Sequence, residues 1–207
     1  MTLHEPATFL TDCLLAAFSA WLAWRLHCST PTTNRAARWW SRALALTAAS
    51  ALIGGGYHGF APNFSAPVAA LWWRCTLLTI DLLGAAMAVA WVYEITPPPR
   101  HRLLFVVVAV KLFAFAVAAL RRPEFVVAIA DYGSTMLAWL GAAAVLRRPW
   151  RGWMLTALAL SALAALVQQF HWAPAAWFNH NDLYHVIQLG ALAAFYLAGR
   201  RFGPAAG

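Results

Sequence analysis

The sequence predicts an all-α integral membrane protein, a bundle of seven transmembrane helices, and three observations carry that prediction. Of 207 residues, 62% are hydrophobic and 11% charged, with mean hydropathy +0.62; a soluble domain of this length carries about a quarter charged residues. Apolar runs long enough to cross a bilayer recur from one end to the other. The arginines gather at the ends of those runs, mostly at alternate ends, as the positive-inside rule requires. Residues 1–207 therefore read as one transmembrane domain.

Taken in order, the first span runs from about Ala7 to Leu26, with Pro6 suited to the first helical turn. The second runs from about Ala37 to Phe60 and the third from about Ala66 to Ile95, which is long enough to tilt. A PPPR break at Pro97–Arg100 ends the third span. The fourth lies near Leu103 to Leu120 and is closed by Arg121, Arg122 and Pro123. The fifth covers about Glu124 to Leu146, the sixth about Trp153 to Phe170, and the seventh about Asn181 to Arg200.

Charge sets direction. Arg25, Arg35, Arg38 and Arg42 lie around the first connection, Arg100 and Arg102 in the third, Arg147, Arg148 and Arg151 in the fifth, and Arg200 and Arg201 after the last span. The alternate connections hold only Arg121 and Arg122. The amino end is thus expected outside and the carboxyl end in the cytoplasm, as in a bacterial inner membrane. Trp39, Trp40, Trp150 and Trp153 are expected at the inner interface, and Trp172 and Trp177 at the outer one.

A net charge of +8 and a pI near 10.3 would suit nucleic acid, but the arginines flank apolar runs, which excludes that partner and leaves membrane lipids. Cys13, Cys28 and Cys75 lack zinc-type spacing and are expected to pack as small hydrophobes. The opening MTLHEPATFL has no basic n-region, so no cleaved signal peptide is expected.

The polar residues converge on one end of this bundle. The densest stretch is Phe178–Gln188, FNHNDLYHVIQ, where His180, Asn181, Asp182, Tyr184, His185 and Gln188 open an otherwise apolar helix. Polar groups at the edge of hydrocarbon are costly unless paired with each other, a metal or a ligand. Asp182, His185 and Gln188 recur every three residues, and Asn181 and His185 are four apart, so each pair shares a face. His180 and His185, five apart, both face inward only if His180 precedes the helix. His58 ends the second span in GGGYHGF, next to Tyr57, and the three glycines Gly54–Gly56 permit close helix approach or a bent backbone. Asp12, Asp131 and Arg74 fall in the same half, the last about 12 Å into its span. His58 with His185 is read either as a metal or cofactor pair or as two interfacial hydrogen-bonding residues, and His4 and His171 as the latter.

Asp81 and Lys111 lie deeper, near the centres of consecutive spans. One reading is an Asp81–Lys111 ion pair that neutralises both. The other points Asp81 into the cavity, where it orients a metal-bound water. Asp131 is expected either there or paired with Arg74.

At these residues the chain resembles the seven-span superfamily that includes alkaline ceramidases and the adiponectin/progestin receptors, often called CREST. His58 matches the family's span-two histidine, Asp81 its span-three aspartate, and Asn181–Val186 (NDLYHV) the region of its HxxxHV, with His185 on the second histidine. The chain departs from the pattern in having Asn181 at the first histidine, Gly54 at the serine (Ser50 is a turn away), and Asp81 farther from His58. It is also similar to uncharacterised bacterial membrane proteins sharing EPxTxLTD, GGxYHGF and FNHNDxYH motifs, the first matched by Glu5–Asp12.

The first resemblance implies a zinc-dependent hydrolase of a lipid or other amphipathic amide or ester, reached from the outer leaflet. His58 and His185, with His180 or Asp182, would hold zinc, and Asp81, Asp12 or Asp131 would act as general base. Asn181, Tyr57, Arg74, Gln188 and Tyr184 would support substrate or ligands. A second expectation keeps the cavity but not the chemistry: a sensor or carrier that binds a small amphipathic ligand or handles protons. A third is a b-type haem held by His58 and His185.

Overall fold

A computed structural model describes residues 1–175 and 177–203. It contains seven long helices and, among the described residues, no strand: α1 (Pro6–Ser29), α2 (Arg35–Phe60), α3 (Ala66–Ile95), α4 (His101–Arg121), α5 (Phe125–Val145), α6 (Arg151–Gln169) and α7 (His180–Gly199). Each lies within a few residues of a span expected from hydropathy. Local chemistry sets several ends. The Asn34 side chain accepts from the Ala37 N–H and starts α2. Proline in the first turn opens α1 and α3, where its missing N–H costs nothing. Pro97 stops α3, and Pro123 follows the end of α4.

Among the described residues, five helical segments are long and apolar enough to cross a membrane: α1, α3, α5, α6, and α4 with the turn before it. The other two begin with polar groups, Arg35, Arg38 and Arg42 in α2 and His180, Asn181 and Asp182 in α7. Those ends lower their mean hydropathy, and both helices are nonetheless built into the bundle.

Six helices close a ring. α1 lies between α2 and α7, α2 reaches α3, α3 reaches α5, and α5 connects through α6 back to α7. α4 stands outside, against α3 and α5. It is the most apolar segment, with mean hydropathy 2.8, yet only Ala119 of its residues is buried. An apolar helix with no buried face belongs against lipid.

The apolar core fills the end of the ring where α2 begins and α7 finishes. Trp40, Trp139, Trp150 and Phe202 meet there, with the Phe202 ring stacked on Trp139 at 5.1 Å between centroids. The buried indole N–H groups find acceptors: Trp40 donates to the Phe195 carbonyl at 2.9 Å and Trp150 to the Glu94 carboxylate at 2.8 Å. This corrects the expected interfacial belt. Trp40 and Trp150 are 1% and 0% exposed and form the core, because each N–H is served inside the protein. Trp172 and Trp177 are exposed.

Candidate functional site

The ring encloses a cavity of about 390 Å³, walled by every helix except α4. Asp12, His58, Gln168, His180, His185 and Gln188 form its polar end, where α7 begins. Trp40, Leu44, Met87, Leu192 and Phe195 line it towards the apolar core.

Two sequence motifs build the polar end by facing each other across α1 and α7. Asn179 caps α7: its side chain accepts from the Asn181 and Asp182 N–H groups, and Asp182 Oδ2 accepts from the Asn179 N–H at 2.7 Å. This is a reciprocal capping box. Thr8 on α1 donates to Asp182 Oδ1 at 2.8 Å, so both carboxylate oxygens of this fully buried residue are engaged. One turn on, Thr11 Oγ1 lies 3.0 Å from His185 Nδ1 and Asp12 Oδ1 lies 3.2 Å from His185 Nε2. Thr11 and Asp12 of α1 thus flank the imidazole at its two nitrogens.

Proton counting constrains this trio. Thr11 has one hydroxyl hydrogen and two candidate acceptors, the Thr8 carbonyl at 3.0 Å and His185 Nδ1. If the hydroxyl serves Thr8, Nδ1–H donates to Thr11, and the lone pair of a neutral ring is on Nε2, beside Asp12. If it serves Nδ1, the hydrogen of a neutral ring is on Nε2 and faces Asp12 Oδ1. Asp12 Oδ2, also buried, has no hydrogen-bond partner in the protein.

The other predicted residues divide into those at the cavity and those elsewhere. His180 is the first residue of α7, and from there it and His185 both reach the cavity, which resolves the geometric conflict of their spacing. His180 packs on His171, ring centroids 4.6 Å apart. His58 Nδ1 faces Glu5 at 3.2 Å. Asn181 accepts from Gln168 Nε2 at 3.0 Å, and Tyr184 and Gln188 line the wall. Tyr57 instead packs on Trp73, centroids 5.0 Å apart, and Arg74 reaches the Leu120 carbonyl of α4 at 3.4 Å. Neither belongs to the wall.

Asp81 and Asp131 also lie outside it, on the α3–α4–α5 side. Lys111 pairs with Asp131, which corrects both expected pairings, Asp81 with Lys111 and Asp131 with Arg74. Asp131 fits close to α3 because Gly84 offers no side chain there.

Of the residues expected to hold zinc, Asp182 is committed to the start of α7, and His58, His180 and His185 line the cavity. A three-ligand site needs lone pairs converging on one point. Both Asp182 oxygens and His185 Nδ1 already hold hydrogen bonds within the protein, while His185 Nε2 stands 3.2 Å from Asp12 Oδ1. Among the described residues no three His, Cys, Asp or Glu side chains are grouped to hold a metal ion.

Residues 7–204 match DUF6962, a family of unknown function. The chain is a DUF6962 protein. No curated protein and no solved structure matches it. The family match spans α1 to α7 and so includes both facing motifs of this DUF6962 chain, from Thr8 to His185.

Sequence reasoning used Asp12 but missed Glu5, Thr8 and Thr11. Their signal was spacing: Glu5, Thr8 and Asp12 recur at i, i+3 and i+7, with Thr11 beside them, on one helical face. Glu5 holds a left-handed backbone at φ 42°, a strained state for a non-glycine residue. That conformation is fixed next to it by the His4 N–H donating to the Gly59 carbonyl at 2.9 Å.

Gly55 completes the DUF6962 site. A Cβ there would lie 2.6 Å from Asp12 Cβ, so glycine lets α2 press against Asp12. Gly55→Ala is expected to destabilise the protein by about 1–3 kcal/mol, as overpacking does, because the Asp12 Cβ cannot rotate away. Unfolding in detergent with increasing SDS measures it. Gly133→Ala, where a Cβ meets nothing within 4 Å, is the control and should be neutral.

Proposed function

We propose that this is a seven-span membrane protein, amino end outside and carboxyl end in the cytoplasm, whose cavity binds a small amphipathic molecule as a sensor or carrier. The observation that carries this reading is the Asp12–His185 pair on the wall of a cavity whose other end is apolar. Such a profile matches a ligand with one polar end and one apolar chain. The arginine distribution supports the orientation, which puts the polar end in the outer half and the Trp40 end towards the cytoplasm.

The zinc hydrolase is the second reading. What favours it is that His58, His180 and His185 line the same cavity, which would suit a lipid amide or ester reached from the outer leaflet.

One preparation separates the two. Trp40 and Trp73 line the cavity, so a brominated single-chain amphiphile bound there should quench tryptophan fluorescence saturably, and Trp40→Phe should reduce the effect. Elemental analysis of the same detergent-purified protein should find no stoichiometric zinc. Near-stoichiometric zinc lost in both His58→Ala and His185→Ala would reverse the choice and make lipid amides the first substrates to screen.

A further inference from the structure

The chemistry of the ligand's polar end follows from which wall groups lack partners. We infer that this cavity selects a positively charged hydrogen-bond donor, an amine carried on a single apolar chain, with Asp12 Oδ2 as its acceptor. The inference rests on the binding reading above.

Two buried polar atoms on the wall have no partner in the protein, Asp12 Oδ2 and Gln168 Oε1. Both are acceptors. Two neighbouring groups are committed: Gln168 Nε2 serves Asn181, and His185 Nδ1 meets Thr11. Asp12 is 4% exposed, and its carboxylate is held by His185 on one side and by the close approach of Gly55 on the other. It is therefore an oriented, desolvated acceptor, and desolvated acceptors gain most from a charged donor.

The cavity also lacks what an anion needs. No lysine or arginine is among the described residues that line it. Of its three histidines, His58 faces the Glu5 carboxylate and His185 the Asp12 carboxylate. A carboxylate or phosphate head would find no lysine or arginine on the wall to neutralise it, and an uncompensated charge in a low-dielectric site is costly. A neutral hydroxyl could donate to Asp12 Oδ2 but would bring no charge, so it should bind with intermediate affinity.

The test is head-group selectivity in the full-length protein. Dodecylamine, dodecanol and dodecanoate are titrated at neutral pH into protein in a non-ionic detergent, with saturable tryptophan fluorescence and thermal stabilisation as readouts. The amine should bind about tenfold or more tightly than the alcohol, and dodecanoate weakest. Asp12→Asn should remove the amine's advantage while the alcohol still binds. The wild-type comparison needs no variant, so a poorly folding Asp12→Asn leaves the test intact. Equal affinities, or a preference for dodecanoate, would overturn the amine assignment, leave the binding cavity standing and mean that water serves Asp12 Oδ2. Failure of all three to bind would overturn the cavity reading and this inference with it.

Discussion

Lys111→Met is expected to cost about 3–5 kcal/mol of stability, the usual consequence of removing one partner from a buried ion pair. Lys111 lies midway along the peripheral α4, with its ammonium on the Asp131 carboxylate of α5. Asp131 is 1% exposed, and on the same side of α3 stands Asp81, also 1% exposed, with neither carboxylate oxygen bonded. Two carboxylates thus share one lysine in a seam between α3, α4 and α5. Removing the lysine leaves both without a cation in a region where charge is expensive. It also frees α4, which has only Ala119 buried to hold it. The double variant Lys111→Met/Asp131→Asn should recover much of the loss, because it removes the stranded charge with its partner. SDS-induced unfolding of the single and double variants measures both quantities. A single variant within about 0.5 kcal/mol of wild type, the range of an ordinary surface change, would mean that the pair contributes nothing in the membrane.

That seam also shows why part of the site was illegible in the sequence. Hydropathy located all seven helices within a few residues, because bilayer-length apolar runs punctuated by Pro97, Pro123 and the arginines leave few alternatives. The clustering of His58, His180, His185 and Asp12 at one end was legible for the same reason, since residue number fixes depth along a span. Rotation about each helix was not. Asp81 and Ile80 have the same depth, yet Ile80 lines the cavity and Asp81 faces the other way. Neighbour relations were equally hidden: Lys111 is nearer in sequence to Asp131 than to Asp81, by 20 residues against 30, but only the ring order with α4 outside decides between them. Trp40 and Trp150 were misread through a similar ambiguity. Interfacial and core tryptophans both sit near helix ends, and what separates them is whether an internal acceptor, such as the Phe195 carbonyl for Trp40, waits for the indole N–H.

Asp182 sharpens the distinction between a residue that binds and one that builds. Sequence spacing made it a candidate metal ligand beside His185, whereas the structure uses its two oxygens on the Asn179 N–H and the Thr8 hydroxyl. Asp182→Ala should therefore cost about 3 kcal/mol. Loss of a helix cap contributes about 1 kcal/mol, and two buried donors lose a charged acceptor worth about 1.5–3 kcal/mol. Thr8→Val removes the α1 contact but leaves the capping box, so it should cost less, about 1–2 kcal/mol. The two substitutions should be less than additive, since they share one hydrogen bond. A chelator makes the experiment decisive. If Asp182 holds α7 through hydrogen bonds alone, wild type and variant should keep the same stability difference with and without EDTA. If it were a metal ligand, chelation would lower wild type to the level of Asp182→Ala and leave the variant unmoved. The same series reads out on His185, because Asp182 fixes the first turn of α7 and that turn sets the height at which His185 meets Asp12. Weakened amphiphile binding in Asp182→Ala, with Asp12 and His185 both intact, would show that the cap positions the pair.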